Sequence, residues 1–322
     1  MQILKLKTKE DINLLREQSD TFSSGTVTAL GFFDGVHLAH RMLLAKAKDK
    51  SDELGLPFVI FTFSSDSELL KTNTKKLFTD EERLFIFETC GTDAVIMADF
   101  ALFRDLSKEE FVHGFLIEAL GAQVAVCGFN FRFAKSASGN STDLKLLMEQ
   151  KCRTAEICEE YLYESKTLSS TYIRELLSEK KLKEAAKLLG KPYFISGKVS
   201  HGLGLGTKLG IPTVNTELAK GRFVLPFGVY LSATVIEDKT YISLTNIGSC
   251  PTFEEREAHA ETFILNFSGD IYDCNVRIYF IEFIRDEKKF SSAEELIMQI
   301  NVDKNKALEI SGDVKWQELG LN

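Results

Sequence analysis

The apolar pattern of this chain changes character once, and that change constrains the fold more than any other feature. From Thr26 to about Arg174, β-prone runs alternate with segments of helical period. "TVTALGF" predicts a strand, and "LAHRMLLAKAKDKSDELG" a helix that stops at Gly55. "PFVIFTF" is continuously apolar, as in a strand buried on both faces. "DEERLFIFETCG" predicts a helix with acids in its first turn and Gly91 as C-cap, and "DAVIMADF" a strand. "SKEEFVHGFLIEALG" predicts a helix capped by Ser107, with Glu110 in capping-box register. "AQVAVCGFNF", "STDLKLLMEQ" and "TAEICEEYLY" follow as strand, helix and strand. Repeated strand–helix units predict a parallel sheet with helices on both faces.

After "LGKPY" (189–193) short alternating segments take over: "FISGKVSH", "GVYLSATVIE", "KTYISLTNIG", "ETFILNFSG" and "NVRIYFIEFIR". Glycines and polar turns separate them, which predicts an antiparallel barrel or sandwich. A helix follows Ser291 and Ser292. The change falls near Gly190, so the expected domains are 1–188 and 189–322. A length of 322 residues agrees with two cores.

The net charge of −8 argues against broad contact with a nucleic-acid backbone, which wants a basic face. A pocket for a small anion needs only a few local cations and helix ends. No apolar run approaches the ~20 residues that span a bilayer. The N-terminus carries no signal-peptide core, so a cytoplasmic location is expected. Six cysteines without a C-x-x-C pair predict mostly core thiols in a reducing compartment, not a disulfide scaffold or structural zinc.

Chemistry concentrates in a few stretches. Two of the five histidines, His37 and His40, stand three apart in "GFFDGVHLAH", where a strand gives way to a helix. Ligands of parallel sheets bind at such strand ends. Gly31 and Gly35 would let backbone approach a ligand, and the helix N-terminus offers unpaired N–H groups to phosphate. Spaced i and i+3, both imidazoles could donate to one phosphate chain. Capping and packing is the plain alternative, and a zinc pair would need a third ligand. In "LSSTYIRELL", Ser169, Ser170 and Thr171 open a helix with Arg174 one turn on, which makes either an anion clamp or ordinary N-capping. Phe129, Phe131 and Phe133 could stack on a planar ring or form one face of an edge strand.

In the second half, Gly202, Gly204, Gly206 and Gly210 imitate a dinucleotide fingerprint, but Pro212 follows and no helix opens. A phosphate flap or a Gly-rich hairpin remains. Thr213 and Asn215, two apart on an extended segment, face the same way and could bring two oxygens to Mg²⁺ or phosphate. Glu261 would serve as a base if a hydroxyl substrate needed one.

"GFFDGVHLAH", "GFNFRF", "LSSTYIRELL", "SGKVSHG…LGIPTVN", "FGVY", "NIGSCPTF" and "FIRDEKKF" occur in that order. Together they closely resemble the bacterial bifunctional riboflavin kinase/FMN adenylyltransferase family over nearly the whole chain. The resemblance implies a Rossmann-like nucleotidyltransferase domain followed by a riboflavin kinase barrel with a C-terminal helix. It implies two Mg²⁺-dependent reactions on small molecules: riboflavin plus ATP gives FMN, and FMN plus a second ATP gives FAD and pyrophosphate. In the first half it implies His37, His40 and Arg174 as catalytic residues, the two histidines binding the ATP phosphates and stabilising the reacting α-phosphate, with further ATP-phosphate contacts from Gly31, Phe33, Asp34, Gly35, Ser170 and Thr171. In the second half it implies Gly197, Gly206, Lys208, Gly210, Thr213 and Asn215, the last two also as metal ligands. Glu261 matches the kinase base; Asn130, Phe131 and Arg285 match flavin-side positions. The chain departs from the pattern at Ala39 (glycine in H-x-G-H), at Ser65, Asp66 and Ser67 (Pro-His-Pro), and at Ala134 (a loop glycine). In the kinase half it departs at Thr207, Val214 and Cys250. The first three imply, as the alternative, a kinase whose front half transfers AMP poorly; a non-catalytic flavin-responsive protein is a more distant one.

Overall fold

The computed structural model describes residues 1–15, 22, 24–65, 67, 74–200, 212–249, 258–269 and 271–321. These form two compact units, Met1–Ser170 and Thr171–Asn322.

The first unit is built on strands β1 (Gln2–Leu6), β2 (Thr26–Leu30), β3 (Phe58–Phe63), β4 (Ala94–Ala98), β5 (Ala122–Gly128) and, further on, β8 (Thr154–Cys158). They form one parallel sheet in the order β1-β4-β3-β2-β5-β8. The order runs one way from β2 through β3 and β4 and the other way through β5, so the switch point lies between β2 and β5. β2 and β4 are buried throughout, as continuous apolar runs require. β1 and the short helix α1 (Lys9–Leu14) precede the expected alternation, and β1 extends the sheet by pairing with β4.

Helices α2 (Leu38–Leu54), α3 (Asp80–Glu88), α4 (Glu110–Ala119) and α5 (Ser141–Glu149) connect the strands. α2 ends at Gly55 in the left-handed conformation, as expected (φ 62°). α3 starts on a Thr79/Glu82 capping box and ends at Thr89, before the expected Gly91. Ser107 and Glu110 do form the expected box, but α4 winds wide, with Leu120 N–H donating to the Phe115 carbonyl at 3.0 Å. The core against the sheet is rich in rings: Phe61 meets Phe115 at 4.9 Å and Phe103 at 5.2 Å. Two short pairs, β6 (Arg132–Phe133) with β7 (Gly139–Asn140) and β9 (Leu162–Tyr163) with β10 (Lys166–Thr167), complete the unit.

The second unit begins inside helix α6 (Ser170–Ser178), continues through α7 (Leu182–Leu189), and so starts before the expected boundary at 188/189. α7 lies against the barrel, with Lys183 paired to Glu282 at 2.8 Å. Strands β11 (Phe194–Ser200), β12 (Thr213–Glu217), β13 (Gly228–Ile236), β14 (Lys239–Ser249), β15 (Ala258–Ile264) and β16 (Asn275–Arg285) close a barrel in the order β11-β12-β15-β14-β13-β16. Every pairing is antiparallel, which makes the second half a barrel and not a sandwich. Fully buried hydroxyls link across three strands: Thr234–Ser243 at 2.8 Å, Ser243–Ser232 at 2.9 Å, Ser232–Thr245 at 2.7 Å and Thr245–Thr262 at 3.0 Å. Helix α8 (Ala293–Gly312) starts at Ser292, whose hydroxyl accepts from Glu295 N–H, while Glu295 Oε2 accepts from Ser291.

Of the cysteines, Cys90, Cys127, Cys152, Cys158 and Cys274 are free thiols. Among the described cysteines only Cys127 is fully buried, and burial pushes its thiol up to about 12; Cys90, Cys158 and Cys274 are partly buried and Cys152 exposed, so most are not core thiols as expected.

Candidate functional sites

The loop between β2 and α2 carries the first site. Its backbone takes left-handed conformations at Phe33 (φ 53°) and at the β-branched Val36 (φ 39°), both buried. Such strain persists only where surrounding structure imposes it, and it clusters at ligand sites. Asp34 is buried and its Oδ1 accepts from Leu77 N–H at 2.8 Å. At Gly35 an added Cβ would lie 2.8 Å from Leu77 Cδ1 and 3.5 Å from Ser170 Oγ, so any larger residue would have to displace the Leu77 side chain. Gly31 is closed over by the Phe33 ring, 2.8 Å from where a Cβ would sit.

His37 is the N-cap of α2 yet makes no side-chain capping bond, so the amides of the first turn receive nothing from it. The rings of His37 and His40 stack at 3.8 Å, 15° from parallel, with Phe33 edge-on to His40 at 5.3 Å. The Nδ1 atoms of both histidines are buried without a hydrogen-bond partner among the described residues. Burial lowers the His37 imidazole to about 4, and burial with the neighbouring His37 lowers His40 further from its ordinary value. Both rings are therefore neutral at pH 7, each with one N–H to donate. Orphaned nitrogens beside uncapped amides suit an anion with several oxygens.

Ser170 adjoins Gly35, and Thr171 and Arg174 follow it in α6, where Arg174 Nη1 donates to Thr171 Oγ1 at 3.4 Å. Asn130 is exposed in the turn after β5, across the switch point from β2. Phe131 and Phe133 stack at 5.7 Å and turn to Phe111, so these rings belong to the core margin; Phe129 is exposed. Ala134 takes φ 63°, ψ 177°, a conformation open to glycine and costly for alanine. Ser67 Oγ donates to Asp99 Oδ1 at 2.6 Å, and Ser64 and Ser65 bind Asp80. Asp66 lies outside the described residues.

The second site is on the barrel wall. Strand alternation puts Thr213 and Asn215 of β12 on one face, with Asn215 opposite Glu261 of β15. Thr213 Oγ1 donates to Glu261 Oε1 at 2.7 Å, which leaves its lone pairs for another partner. Hydroxyl, amide and carboxylate oxygens on neighbouring strands are the hard donors Mg²⁺ prefers, and that ion takes few protein ligands when phosphates supply the rest. No cluster of three His, Cys, Asp or Glu that could hold a metal occurs among the described residues. At Gly197 an added Cβ would strike Thr216 Cγ2 at 2.5 Å, so this glycine lets β11 and β12 close. Gly202, Gly204, Gly206, Thr207, Lys208, Gly210 and Cys250 lie outside the described residues. Arg285 is held by Asp303, with Nε at 2.9 Å and Nη2 at 2.8 Å from Oδ2, and joins β16 to α8. Sequence reasoning missed Asp303, and also Arg83 and Asp80, whose i, i+3 spacing in α3 was the available signal.

A parallel sheet with two buried imidazoles at its switch point, joined in one chain to a closed antiparallel barrel bearing a hydroxyl–carboxylate pair, sets the class of this two-unit protein. Comparison with known proteins narrows the class. Residues 19–172 match the family described as FAD synthetase, and residues 189–311 match riboflavin kinase. The chain is 33% identical over 298 residues to the bifunctional riboflavin kinase/FMN adenylyltransferase of Bacillus subtilis (strain 168), covering 90% of this chain and 94% of that one. It is 32% identical over 304 residues to the protein of the same name from Escherichia coli (strain K12), again covering 90% and 94%. A solved structure titled macrolide-efflux protein from Streptococcus pneumoniae superposes with a TM-score of 0.80 at 28% identity, over 95% of this chain and 98% of that one. The chain belongs to the bifunctional riboflavin kinase/FMN adenylyltransferase family. Among the described residues no helix is long and apolar enough to cross a membrane.

Proposed function

We propose that this chain makes FAD from riboflavin in two steps, with 1–188 as the adenylyltransferase domain and 189–322 as the kinase domain, in the cytoplasm. The observation that carries the front half is the stacked imidazole pair at the start of α2, with both Nδ1 atoms buried and without a hydrogen-bond partner among the described residues. There an FMN phosphate oxygen attacks the ATP α-phosphorus, the bond to the bridging oxygen breaks, and pyrophosphate leaves. His37 and His40 donate hydrogen bonds to the oxygens on which charge gathers, helped by the α2 amides, Ser170, Thr171 and Arg174. Gly31, Phe33, Asp34 and Gly35 shape the backbone around the phosphates, and Asn130 and Phe131 border the flavin side. No covalent enzyme intermediate is needed, so catalysis is positioning and charge stabilisation.

In the barrel, Glu261 accepts the proton of the ribityl hydroxyl as its oxygen attacks the ATP γ-phosphorus and ADP leaves. Thr213 orients that carboxylate. Thr213 and Asn215 would hold Mg²⁺, which supplies charge neutralisation between phosphate oxygens when bound. Gly197, Gly206, Lys208 and Gly210 would cover the phosphates. Arg285 would border the flavin while tied to Asp303. The test is one preparation given riboflavin, ATP and Mg²⁺ in one tube, and FMN, ATP and Mg²⁺ in another. FMN in the first and FAD in the second are expected; FMN without FAD would reduce the function to the kinase.

A further inference from the structure

Among the described residues the mechanism above leaves buried charges without a task, Arg222 and Arg83 among them. Arg83 in α3 is fully buried. Its Nη1 donates to the Phe32 carbonyl at 2.6 Å and to Thr62 Oγ1 at 3.0 Å. Its Nη2 donates to the Phe63 carbonyl at 2.8 Å and to Asp80 Oδ1 at 2.5 Å. One side chain therefore binds the backbone just past the end of β2 and the last residue of β3, two neighbouring strand ends on the ligand-binding edge. Asp80 extends the clasp by accepting from Ser64 Oγ at 2.6 Å, Ser65 N–H at 2.9 Å and Ser65 Oγ at 2.7 Å.

A buried ion pair is weak evidence of stabilisation, because apolar residues of equal volume commonly do as well. Apolar residues cannot hold two strand-end carbonyls in a fixed relation, whereas a planar guanidinium can. Phe32 directly precedes Phe33 and lies four residues before Val36, the two strained residues that deliver His37 to the start of α2. Strain there needs an outside restraint, and the Phe32 carbonyl is where Arg83 applies it.

We propose that Arg83, oriented by Asp80, is a positioning residue for adenylyl transfer, fixing the Phe32–Val36 backbone so that His37 and His40 keep their spacing toward the ATP phosphates. This rests on reading the first unit as the adenylyltransferase. Three variants of the full chain test it: Arg83→Met, which keeps volume, Arg83→Lys, and Asp80→Asn. Val95→Ala, in the buried β4, serves as a purely structural comparison. With Arg83→Met, kcat for FAD formation from FMN should fall about 100-fold with KM for ATP within about 3-fold, the cost of misplacing reacting groups by an ångström or so. Arg83→Lys should recover about tenfold, and Asp80→Asn should lose about tenfold, by the same principle. FMN formation by the same molecules should stay within about twofold, since no barrel residue is touched.

A second readout needs no turnover. The ring C–H resonances of His37 and His40 should shift when α,β-methylene-ATP is added to wild type and to Val95→Ala, and should fail to do so in Arg83→Met. If Arg83→Met does not fold, Asp80→Asn carries both measurements. Loss of FAD formation no greater than the loss of folded protein, as in Val95→Ala, would overturn the proposal. So would histidine spectra indistinguishable from wild type. A wild type that makes FMN but no FAD would instead sink the functional reading of the first unit, and the histidine spectra would still decide the role of Arg83.

Discussion

In the first unit the imidazole pair depends on a loop strained at Phe33 and Val36, whereas Thr213, Asn215 and Glu261 stand on paired strands of the barrel wall. The loop site gains close backbone approach and helix-end amides, and it needs bracing from Asp34, Arg83 and Asp80. The strand site is positioned by ladder register, which aims alternate side chains without strain, and by the single hydrogen bond from Thr213 to Glu261. The first site should therefore be sensitive to residues that never meet substrate, and the second mainly to the chemistry of its own side chains.

The largest expected effect tests the second half of that contrast. Glu261→Gln removes the base and leaves the strand intact, so FMN formation should fall about 1,000-fold while FAD formation from FMN holds, read by chromatography of both flavins. A fall below tenfold would mean that the carboxylate is not the base. Next, His37→Ala should lower FAD formation about 100-fold, the usual cost of one donor to developing charge, with FMN formation unchanged. Equal losses in both reactions would dissolve the distinction between the sites.

Acid should separate the units next. The His37 imidazole is lowered by burial from 6.5 to about 4, so the unfolded chain binds the proton more readily than the folded one. The stability this contributes is whole above pH 6.5 and is lost as pH falls toward 4, about 3 kcal/mol in all. Denaturant melts across that range should show the first unit weakening, and His37→Ala should flatten its slope; an unchanged slope would place the imidazole in solvent. The smallest effect concerns Ala134. Ala134→Gly should raise stability by about 1 kcal/mol, since φ 63°, ψ 177° is costly for alanine and open to glycine, and a thermal melt would register it.

The parallel sheet was legible because strands buried on both faces read as unbroken apolar runs, "PFVIFTF" above all. The imidazole pair was legible because its spacing coincides with a strand-to-helix junction. Barrel closure was not, since alternation is the same in an open sandwich and in a closed barrel; the pairing of β11 with β16 decides it. β1 escaped notice because "QILKL" is short and half exposed at the sheet edge. Arg83 read as one more charge on a helix; only the fold turns it inward to carbonyls 20 and 51 residues away. Arg285 was expected beside flavin, and its partner Asp303 lies in a different element, beyond the reach of local pattern.

The hydroxyl chain from Thr234 to Thr262 has a thermal consequence. Melting the barrel wets this chain of alcohol groups along with rings such as Tyr230 and Phe280, whereas the first unit's core holds a larger cluster of phenyl rings around Phe61. Hydrating polar surface lowers the heat capacity of the unfolded state, and hydrating apolar surface raises it. The barrel should thus follow the flatter free-energy curve, losing little of its peak stability on chilling, while the ring-packed unit bends more steeply toward cold unfolding.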